Sequence, residues 1–308
     1  MLYNLLTTNN PNLMISKWLL ILTIIMICLL LYKYLKPQEI KEGFYQEQPY
    51  VLKLNENTLD LFYIELYVIL HNVKDRIDKE LVHILRATNP CKENSVFLDV
   101  GSGVGETVYQ LKNEGFNAFG IDKSKNMCDF AKNTYNDIEV LNDDILKPMA
   151  FEKNTFTHIL CTYFTIYQIE DKKRFFSNCF FWMKSGGYLV VHLVHKKKFD
   201  RVIPNTDAIS KRTVMPHGAD KLSTRAIFDD YEYNGSFEIL DDKARFIETF
   251  TDLETKHIRE NHTDLYMENI YDICGYAKSC GFIFHGKTNM FNINNDKHQY
   301  LYYFERPL

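Results

Sequence analysis

The sequence has no pair of cysteines with C-x-x-C spacing and no surplus of positive charge. Its seven cysteines are scattered and odd in number, so they cannot all pair in a disulfide framework, and we expect reduced thiols in a reducing compartment. The formal net charge of −4 disfavours a dedicated nucleic-acid-binding protein. With 46% hydrophobic and 25% charged residues, the 308-residue chain has the composition of a globular protein with a sizeable core.

A long apolar run lies near the N-terminus. Residues 18–31, WLLILTIIMICLLL, carry no charge, and with their flanks they extend to about 13–35. A membrane-spanning helix needs about 20 residues, so we expect a single-pass anchor within an N-terminal segment of residues 1–36. A cleaved signal peptide is disfavoured, because little positive charge precedes the run and no small-residue cleavage site follows it. More lysines follow the run than precede it, which places the rest of the chain in the cytosol, bound to the membrane through this helix.

A polar stretch with proline and glycine, residues 37–56, predicts a linker to the main domain, which we expect over residues 57–308. From residue 57 onwards, apolar side chains recur at helical spacing. This pattern predicts two helices, or one helix kinked near His71 and Asn72.

The most informative stretch is VFLDVGSGVG, residues 96–105. A short apolar strand ends in a tight glycine turn and a helix begins directly after it, as in the first strand, turn and helix of a parallel α/β sheet. Glycines allow the backbone to approach a ligand closely, and the helix N-terminus offers free N–H groups. The spacing is G-x-G-x-G, with Glu106 where a dinucleotide-binding turn has its last glycine. The turn alone therefore leaves the kind of nucleotide-like cofactor open.

The following strands carry acidic residues at their ends. Residues 117–121 predict a strand that ends in Asp122, whose carboxylate can accept hydrogen bonds from ribose hydroxyls. Residues 139–141 predict another, followed by Asp144, where an acid can contact an adenine amino group. The fourth and fifth strands are predicted at 156–161 and 188–194.

In this order and spacing, LDVGSGVG, FGID, LNDDI, THILCTYFTIYQIED and MKSGGYLVVHLV resemble a class I S-adenosylmethionine-dependent methyltransferase of the small-molecule type. The resemblance extends from about Asp60 to the C-terminus and is densest over residues 96–194. It implies S-adenosylmethionine as the cofactor and an α/β fold with a Rossmann-like, mostly parallel sheet of seven strands. The cofactor-binding residues that it implies are Asp99, Gly101, Ser102, Gly103, Asp122, Lys123, Met127, Asp144, Ile145, Cys161, Tyr63 and Tyr67.

The resemblance also implies roles for these residues. Asp99 and the turn glycines hold the methionine part, and Asp122 holds the ribose. Met127 flanks the adenine, whose edge is contacted by Asp144 and the backbone of Ile145.

Two further segments are implied to contact the cofactor. Residues 161–163, after the fourth strand, border the sulfonium. The segment DLFYIELYVIL, residues 60–70, resembles the helix that caps the cofactor, with Phe62, Tyr63 and Tyr67 as lid residues. Plain helix packing is the alternative for each of these tyrosines.

Methyl transfer from a sulfonium is an in-line displacement, in which the protein aligns the acceptor and excludes water. A base is needed only where the acceptor must lose a proton first. The candidates are Tyr163, His192 and His195, with Tyr167 and His217 as further candidates, and a structural role is the alternative for the histidines. We expect no metal, because no third ligand has suitable spacing beside the two histidines of the fifth strand.

The pattern changes after the fifth strand. A basic run from His195 predicts a solvated loop, with contact to anionic lipid or an acidic substrate as alternatives. Residues 203–266 predict an antiparallel β insertion of two or three strands, a cap over the sheet edge where ligands bind. Residues 267–279 predict the last helix, and 282–291 with 298–305 predict a terminal antiparallel hairpin.

The sequence does not identify the methyl acceptor. It lacks the Asn-Pro-Pro-Tyr or Asp-Pro-Pro-Tyr that nucleic-acid amino methyltransferases carry after the fourth strand, so a small molecule, a lipid or a protein side chain remains open. Two alternatives to an active methyltransferase also remain. One is a module that binds the cofactor without turnover, and the other is a nucleotide-dependent oxidoreductase, which Glu106 and Asp144 disfavour.

Overall fold

The structure, a computed structural model, describes residues 18, 19, 21–27, 48–199, 212–217, 221–228, 230–241 and 243–308. The chain divides into two compact units, Met1–Gly43 and Phe44–Leu308. In the first unit the described residues are helical. Most of the predicted membrane span, namely residues 13–17, 20 and 28–35, lies outside the described residues. Within the described part of the chain, no helix has both the length and the apolar character needed to cross a membrane.

The second unit contains the strands and helices that position the site. The strands are β1 (Tyr50–Leu54), β2 (Val96–Val100), β3 (Asn117–Asp122), β4 (Glu139–Asn142), β5 (Phe156–Cys161), β6 (Met183–Val194), β7 (Arg212–His217), β8 (Lys221–Ile227), β9 (Tyr231–Leu240), β10 (Lys243–Asp252), β11 (Ile258–Tyr266), β12 (Ile283–Asn289) and β13 (Gln299–Glu305). The helices are α1 (Leu61–Leu70), α2 (Val73–Thr88), α3 (Glu106–Asn113), α4 (Lys125–Thr134), α5 (Thr165–Gln168), α6 (Lys172–Trp182), α7 (Ile270–Ser279) and α8 (Phe291–Asn294).

The larger sheet confirms the predicted architecture. Within the described residues it has seven strands in the order β12-β13-β6-β5-β2-β3-β4. The pairs among β2 to β6 are parallel, and β13 is antiparallel to both β6 and β12. The carboxyl ends of the parallel strands therefore meet at one edge, where α/β folds bind their ligands.

The helices before the sheet begin and end at residues that suit these positions. Asp60 caps α1, because its side chain accepts a hydrogen bond from the Tyr63 N–H. The predicted break at His71 and Asn72 is confirmed, and Asn72 has a φ of 43°, a conformation that asparagine tolerates better than most residues. Two helices rather than one kinked helix therefore precede the glycine turn.

A second sheet differs from the prediction in two ways. Its strand order is β1-β11-β10-β9-β8-β7, so the insertion supplies five described strands instead of two or three. The predicted linker is wrong over residues 50–54, which form β1 and pair in parallel with β11. This pairing joins Tyr50 to Ile258. Local sequence patterns do not predict a pairing between residues so far apart in the chain. Part of the predicted insertion, including residues 203–211, lies outside the described residues.

The C-terminal elements follow the prediction with small shifts. The last helix begins at Ile270, three residues later than predicted, because the Asn269 side chain accepts a hydrogen bond from the Asp272 N–H and caps it. The terminal hairpin is confirmed, and the asparagine-rich turn between its strands contains the short helix α8.

The main core lies between the larger sheet and the helices packed on it, with Phe175, Phe176 and Trp182 of α6 fully buried. The cysteines among the described residues are free thiols, as predicted.

Candidate active site

The glycine turn after β2 forms the floor of a cavity with a volume of 740 Å³. Gly101 has a φ of 65°, and a Cβ at this position would lie 2.6 Å from Cγ2 of Thr165. Only glycine combines a relaxed positive φ with the absence of a Cβ. Gly101 therefore lets the backbone of the turn form the cavity wall beside Thr165. Gly101, Ser102 and Gly103 all line the cavity, as predicted for cofactor contacts.

Asp122, at the end of β3, is fixed by two backbone donors. Its Oδ2 accepts from the Gly103 N–H and its Oδ1 from the Ser124 N–H, both at 2.8 Å. Burial raises the pKa of Asp122, although these two hydrogen bonds oppose the shift. The carboxylate lines the cavity and each oxygen keeps a further lone pair for a ligand.

Asp99 lies in the cavity wall at the end of β2 and is 4% exposed. Burial raises its pKa to about 7, while a hydrogen bond with Thr107 opposes the shift. Asp99 therefore changes charge near neutral pH, which an exposed aspartate does not.

The cavity continues past the ends of β3 and β4 along residues predicted for the adenine end. Lys123, Met127, Asp144 and Ile145 line it. Lys123 forms an ion pair of 2.5 Å with Glu56, and both side chains are 58% exposed, so we expect this pair to add little to stability.

The loop after β5 holds two residues in an unusual backbone conformation. Tyr163 and Phe164 have φ values of 44° and 63°, which cost about 1–3 kcal/mol each for residues other than glycine. Both line the cavity. Tyr163 Oη lies 2.5 Å from Nδ1 of His71, which comes from the break between α1 and α2. Strained backbone beside a ligand cavity is typical of functional sites.

Arg76 of α2, which the sequence pattern did not single out, lies under the same tyrosine. Its guanidinium is 3.8 Å from the centre of the Tyr163 ring, and its Nη1 bonds both carboxylate oxygens of Glu80 at 3.0 and 3.1 Å. Both partners are buried, and Arg76 Nε has no hydrogen-bond partner among the described residues. Because Arg76 lines the cavity, it offers an unpaired donor to a bound anionic group.

His192 of β6 is fully buried and lines the cavity, as predicted. Its Nδ1 accepts a hydrogen bond of 3.3 Å from the Phe164 N–H. Burial lowers the pKa of His192 to about 3, and burial with the nearby Arg76 lowers that of His71 to about 3. Both imidazoles are therefore neutral at pH 7.

Three predicted positions are wrong. His195 is exposed, because β6 ends at Val194 and the chain turns away from the cavity. Cys161 is fully buried in the core, so the cavity is lined by the next residue, Thr162. Phe62 packs on Tyr231 and Phe250 at ring distances of 5.8 and 5.6 Å and does not line the cavity. Thr162 and Tyr63, which follow Cys161 and Phe62 directly, line the cavity instead, because neighbouring residues point in different directions.

Two other predicted residues have structural or undescribed positions. The hydroxyl of Tyr167 donates to and accepts from the backbone of Val194, with the Val194 N–H at 2.8 Å, and the ring is fully buried. The side chain of His217 lies outside the described residues.

The second sheet covers the other side of the cavity. Phe237 of β9 and Phe246 of β10 line it and contact each other at a ring distance of 4.7 Å. We call the part lined by these two rings together with Tyr163, Phe164 and His192 the aromatic chamber. From α1, Tyr63 and Tyr67, two of the residues predicted for the lid, also line the cavity.

The residues present fit S-adenosylmethionine. Buried polar atoms in the cavity wall, Ser102 Oγ and Arg76 Nε, have no partner among the described residues. The carboxylates of Asp99 and Asp122 add acceptors beside them. This set suits a ligand that carries hydroxyl, amino and carboxylate groups.

Comparisons with known proteins agree with this site. Residues 98–191 match the family described as a methyltransferase domain. No curated protein sequence matches the chain. A solved S-adenosylmethionine-dependent methyltransferase from Clostridium acetobutylicum is similar, with 17% identity, coverage of 80% of this chain and 98% of that chain, and a TM-score of 0.60.

Two further solved structures are similar. CalS10, an amino pentose methyltransferase from Micromonospora echinaspora solved with S-adenosylmethionine bound, has 14% identity, coverage of 76% and 91%, and a TM-score of 0.51. KedS8, a sugar N-methyltransferase from Streptoalloteichus, has 16% identity, coverage of 79% and 88%, and a TM-score of 0.52. At these identities the likeness is one of fold.

The domain match spans the glycine turn, Asp122 and Tyr163. Together with the cavity that these residues line, it assigns the protein S-adenosylmethionine as its cofactor and methyl transfer from that cofactor as its function, with the acceptor left open.

Proposed function

We propose that the protein methylates an amino group of a small molecule by in-line displacement. The observation that carries this proposal is the cavity itself, in which the cofactor residues and the aromatic chamber are continuous. Its volume of 740 Å³ lies within the usual range for small-molecule sites, about 300–1,000 Å³. The second sheet covers the chamber, which favours a small acceptor over a protein side chain or a lipid.

The chain's own residues divide the work of holding the cofactor. Asp122 would hold the ribose, and Asp144 with the backbone of Ile145 would hold the adenine edge. Asp99 would face the amino group of the methionine part, and the free Arg76 Nε would face its carboxylate. The bound cofactor supplies an electrophilic methyl group on a sulfonium.

The chamber favours an acceptor amine in its neutral, nucleophilic form. Burial lowers the pKa of His192 to about 3, and the same low-dielectric surroundings lower the pKa of an amine bound there. The Tyr163 hydroxyl oxygen would accept from an amine N–H and so orient the lone pair towards the methyl group. The proton that the methylated amine must lose passes to water, because an imidazole with so low a pKa does not retain it.

The similar structures support the same acceptor class. One acts on an amino pentose and another is a sugar N-methyltransferase, as their names state. Since that likeness is one of fold, it adds weight only together with the neutral histidines of the chamber.

The test is transfer of a labelled methyl group by the full chain into fractionated cell extract. We expect label in the small-molecule fraction, and none with Asp122→Ala. The matched control is Asp129→Ala, because Asp129 is half exposed on α4, does not line the cavity and pairs with the exposed Lys125. Label in protein or lipid would overturn the acceptor class. Binding of S-adenosylhomocysteine without any transfer would indicate a binding module, and binding of NAD instead would indicate an oxidoreductase.

We also propose that the apolar run at about 13–35 anchors the protein in a membrane, with the catalytic domain in the cytosol. The absence of charge over residues 18–31 supports this. The full-length protein is then expected to pellet with membranes and to resist an alkaline carbonate wash. Release by that wash would exclude the anchor.

A further inference from the structure

We propose that Glu248 is a positioning residue that holds the cofactor-capping Tyr63 from the second sheet. The second sheet would thereby set how firmly α1 closes over the cofactor. The inference rests on the proposed function, because it concerns the cap of the cofactor site.

Glu248 lies on β10, is 1% exposed and does not line the cavity. Its two oxygens accept hydrogen bonds from two tyrosines: Oε2 from the Tyr63 hydroxyl and Oε1 from the Tyr233 hydroxyl at 2.9 Å. Tyr63 comes from α1 and Tyr233 from β9, so one carboxylate joins the capping helix to the sheet. Tyr63 itself lines the cavity, so Glu248 is bonded directly to a residue of the cavity wall.

The sheet makes room for this contact at Gly235. In the register of β9 and β10, Gly235 is the direct partner of Glu248. A Cβ at Gly235 would lie 2.6 Å from the Tyr233 hydroxyl oxygen. The missing side chain therefore allows the Tyr233 hydroxyl to lie over the backbone and reach Glu248.

Burying the carboxylate of Glu248 costs free energy, which argues against a chance contact with the two tyrosines. Burial raises the pKa of Glu248 to about 7, although hydrogen bonds from both tyrosines oppose the shift. A buried carboxylate is retained at such a place where its hydrogen bonds fix a unique geometry. Here the geometry that it fixes is the position of Tyr63.

A second contact clamps the start of the same helix to the same sheet. Nη1 of Arg259, on β11, donates to both oxygens of Asp60 at 3.1 and 2.8 Å. Asp60 is the residue that caps α1, and Lys53 of β1 also bonds it at 2.5 Å. The N-terminal end of α1 is therefore held by two strands, while Glu248 holds its cavity-facing side chain.

The strands that carry this contact also carry walls of the aromatic chamber. Phe246 is two residues before Glu248, and Phe237 is two residues after Gly235. Side chains two apart on a strand share a face, so the chamber wall and the tyrosine contact lie side by side. The capping helix and the acceptor wall are thus joined through one short stretch of sheet.

The experiment measures association and dissociation rates of S-adenosylhomocysteine with the full chain. The variants are Glu248→Ala, Glu248→Gln and Tyr233→Phe. The control is Glu232→Gln, because Glu232 lies on β9 next to Tyr233 in sequence and pairs with Arg225 away from Tyr63. Thermal unfolding of each variant shows whether the fold is retained.

A loosened cap raises the dissociation rate and leaves association unchanged. We expect an increase of about tenfold for Glu248→Ala and about threefold for Tyr233→Phe, in proportion to the hydrogen bonds lost. Glu248→Gln retains one acceptor oxygen and should restore part of the wild-type rate, and Glu232→Gln should match wild type.

A merely structural role would lower the unfolding temperature without changing the dissociation rate of the folded protein, and that result would overturn the inference. If Glu248→Ala does not fold, Tyr233→Phe decides in the same way. A wild-type chain that does not bind S-adenosylhomocysteine would overturn the proposed function, and this inference with it. Normal wild-type binding with unchanged variant rates would overturn the inference alone.

Discussion

The two ends of the cavity are built in different ways. At the cofactor end, backbone groups set the geometry, since the Gly103 and Ser124 N–H groups hold Asp122. At the aromatic chamber, side chains from distant parts of the chain set it. Tyr163 meets His71 across 92 positions, and the rings of Phe237 and Phe246 come from the second sheet.

This difference explains which substrate each end can specify. A turn of glycines and short strands forms the same cradle wherever it occurs, which suits a cofactor common to many enzymes. Side-chain walls change with single substitutions, which suits an acceptor particular to one enzyme. Substitutions at the chamber should therefore change mainly the free energy of unfolding. Substitutions at the cofactor end should change mainly the affinity for the cofactor.

The largest expected effect is on stability, at the buried ion pair that supports Tyr163 of the chamber. Arg76→Met leaves Glu80 buried without its partner, and breaking a buried ion pair by removing one side costs about 3–5 kcal/mol. Urea unfolding of the full chain measures the change. Lys79→Met on the same helix is the control, because the exposed Lys79–Asp75 pair contributes at most about 1 kcal/mol. Equal losses in the two variants would show that the buried Arg76–Glu80 pair contributes no more to stability than an exposed pair on the same helix.

The next largest effect is on binding at the cofactor end. Asp122→Ala removes the acceptor of two backbone N–H groups and of the ribose, and we expect at least about 100-fold weaker binding of S-adenosylhomocysteine. Calorimetry measures it. The unfolding midpoint should change less than with Arg76→Met. Unchanged affinity would show that Asp122 does not hold the cofactor.

The same distinction governs what the sequence could predict. The larger sheet, its terminal hairpin and the glycine turn that lines the cavity follow from local signals, because apolar strands, glycine turns and terminal acids lie within a few residues of each other. The parallel pairing of β1 with β11 has no local signal.

Arg76 and His71 were missed for a related reason. An arginine four residues before a glutamate on an amphipathic helix resembles a solvated surface pair. Only the distant Tyr163, which contacts both side chains, shows that they face a cavity. His195 was misplaced although the end of β6 at Val194 was predicted, because the residue that follows the strand is exposed and does not line the cavity.

A smaller effect is expected on turnover at the chamber. Tyr163→Phe removes the hydroxyl bonded to His71 but keeps the ring on which Arg76 lies. We expect methyl transfer to fall about 20-fold, an effect in the range for a misplaced orienting group, with unchanged affinity for S-adenosylhomocysteine. Labelled-methyl transfer and calorimetry separate the two quantities. A loss of cofactor affinity instead would assign Tyr163 to the cofactor end.

The smallest effect concerns pH and Asp99. Burial raises the pKa of Asp99 to about 7 in the folded protein, above its ordinary value near 4. Between about pH 4 and pH 7 the carboxyl of Asp99 is ionised in the unfolded chain but protonated in the ligand-free folded protein. The free energy of unfolding therefore decreases as pH rises through this range. Binding should run the opposite way, because only the ionised carboxylate attracts the ligand's ammonium group. We expect the affinity for S-adenosylhomocysteine to rise about tenfold between pH 5.5 and 7.5.

The Asp99→Asn variant distinguishes the effect of this carboxylate on the pH dependence from the effects of the other carboxylates in the cavity. Asparagine resembles the protonated acid, so the variant should bind weakly at both pH values and should not lose stability over this range through residue 99. Glu248 has a similar raised pKa but is intact in both proteins, so its contribution cancels in the comparison. A variant that keeps the tenfold rise would place the titrating group elsewhere. Asp122 at the cofactor end and Glu248 on the second sheet, whose pKa values are also raised by burial, would then be the two carboxylates to substitute next.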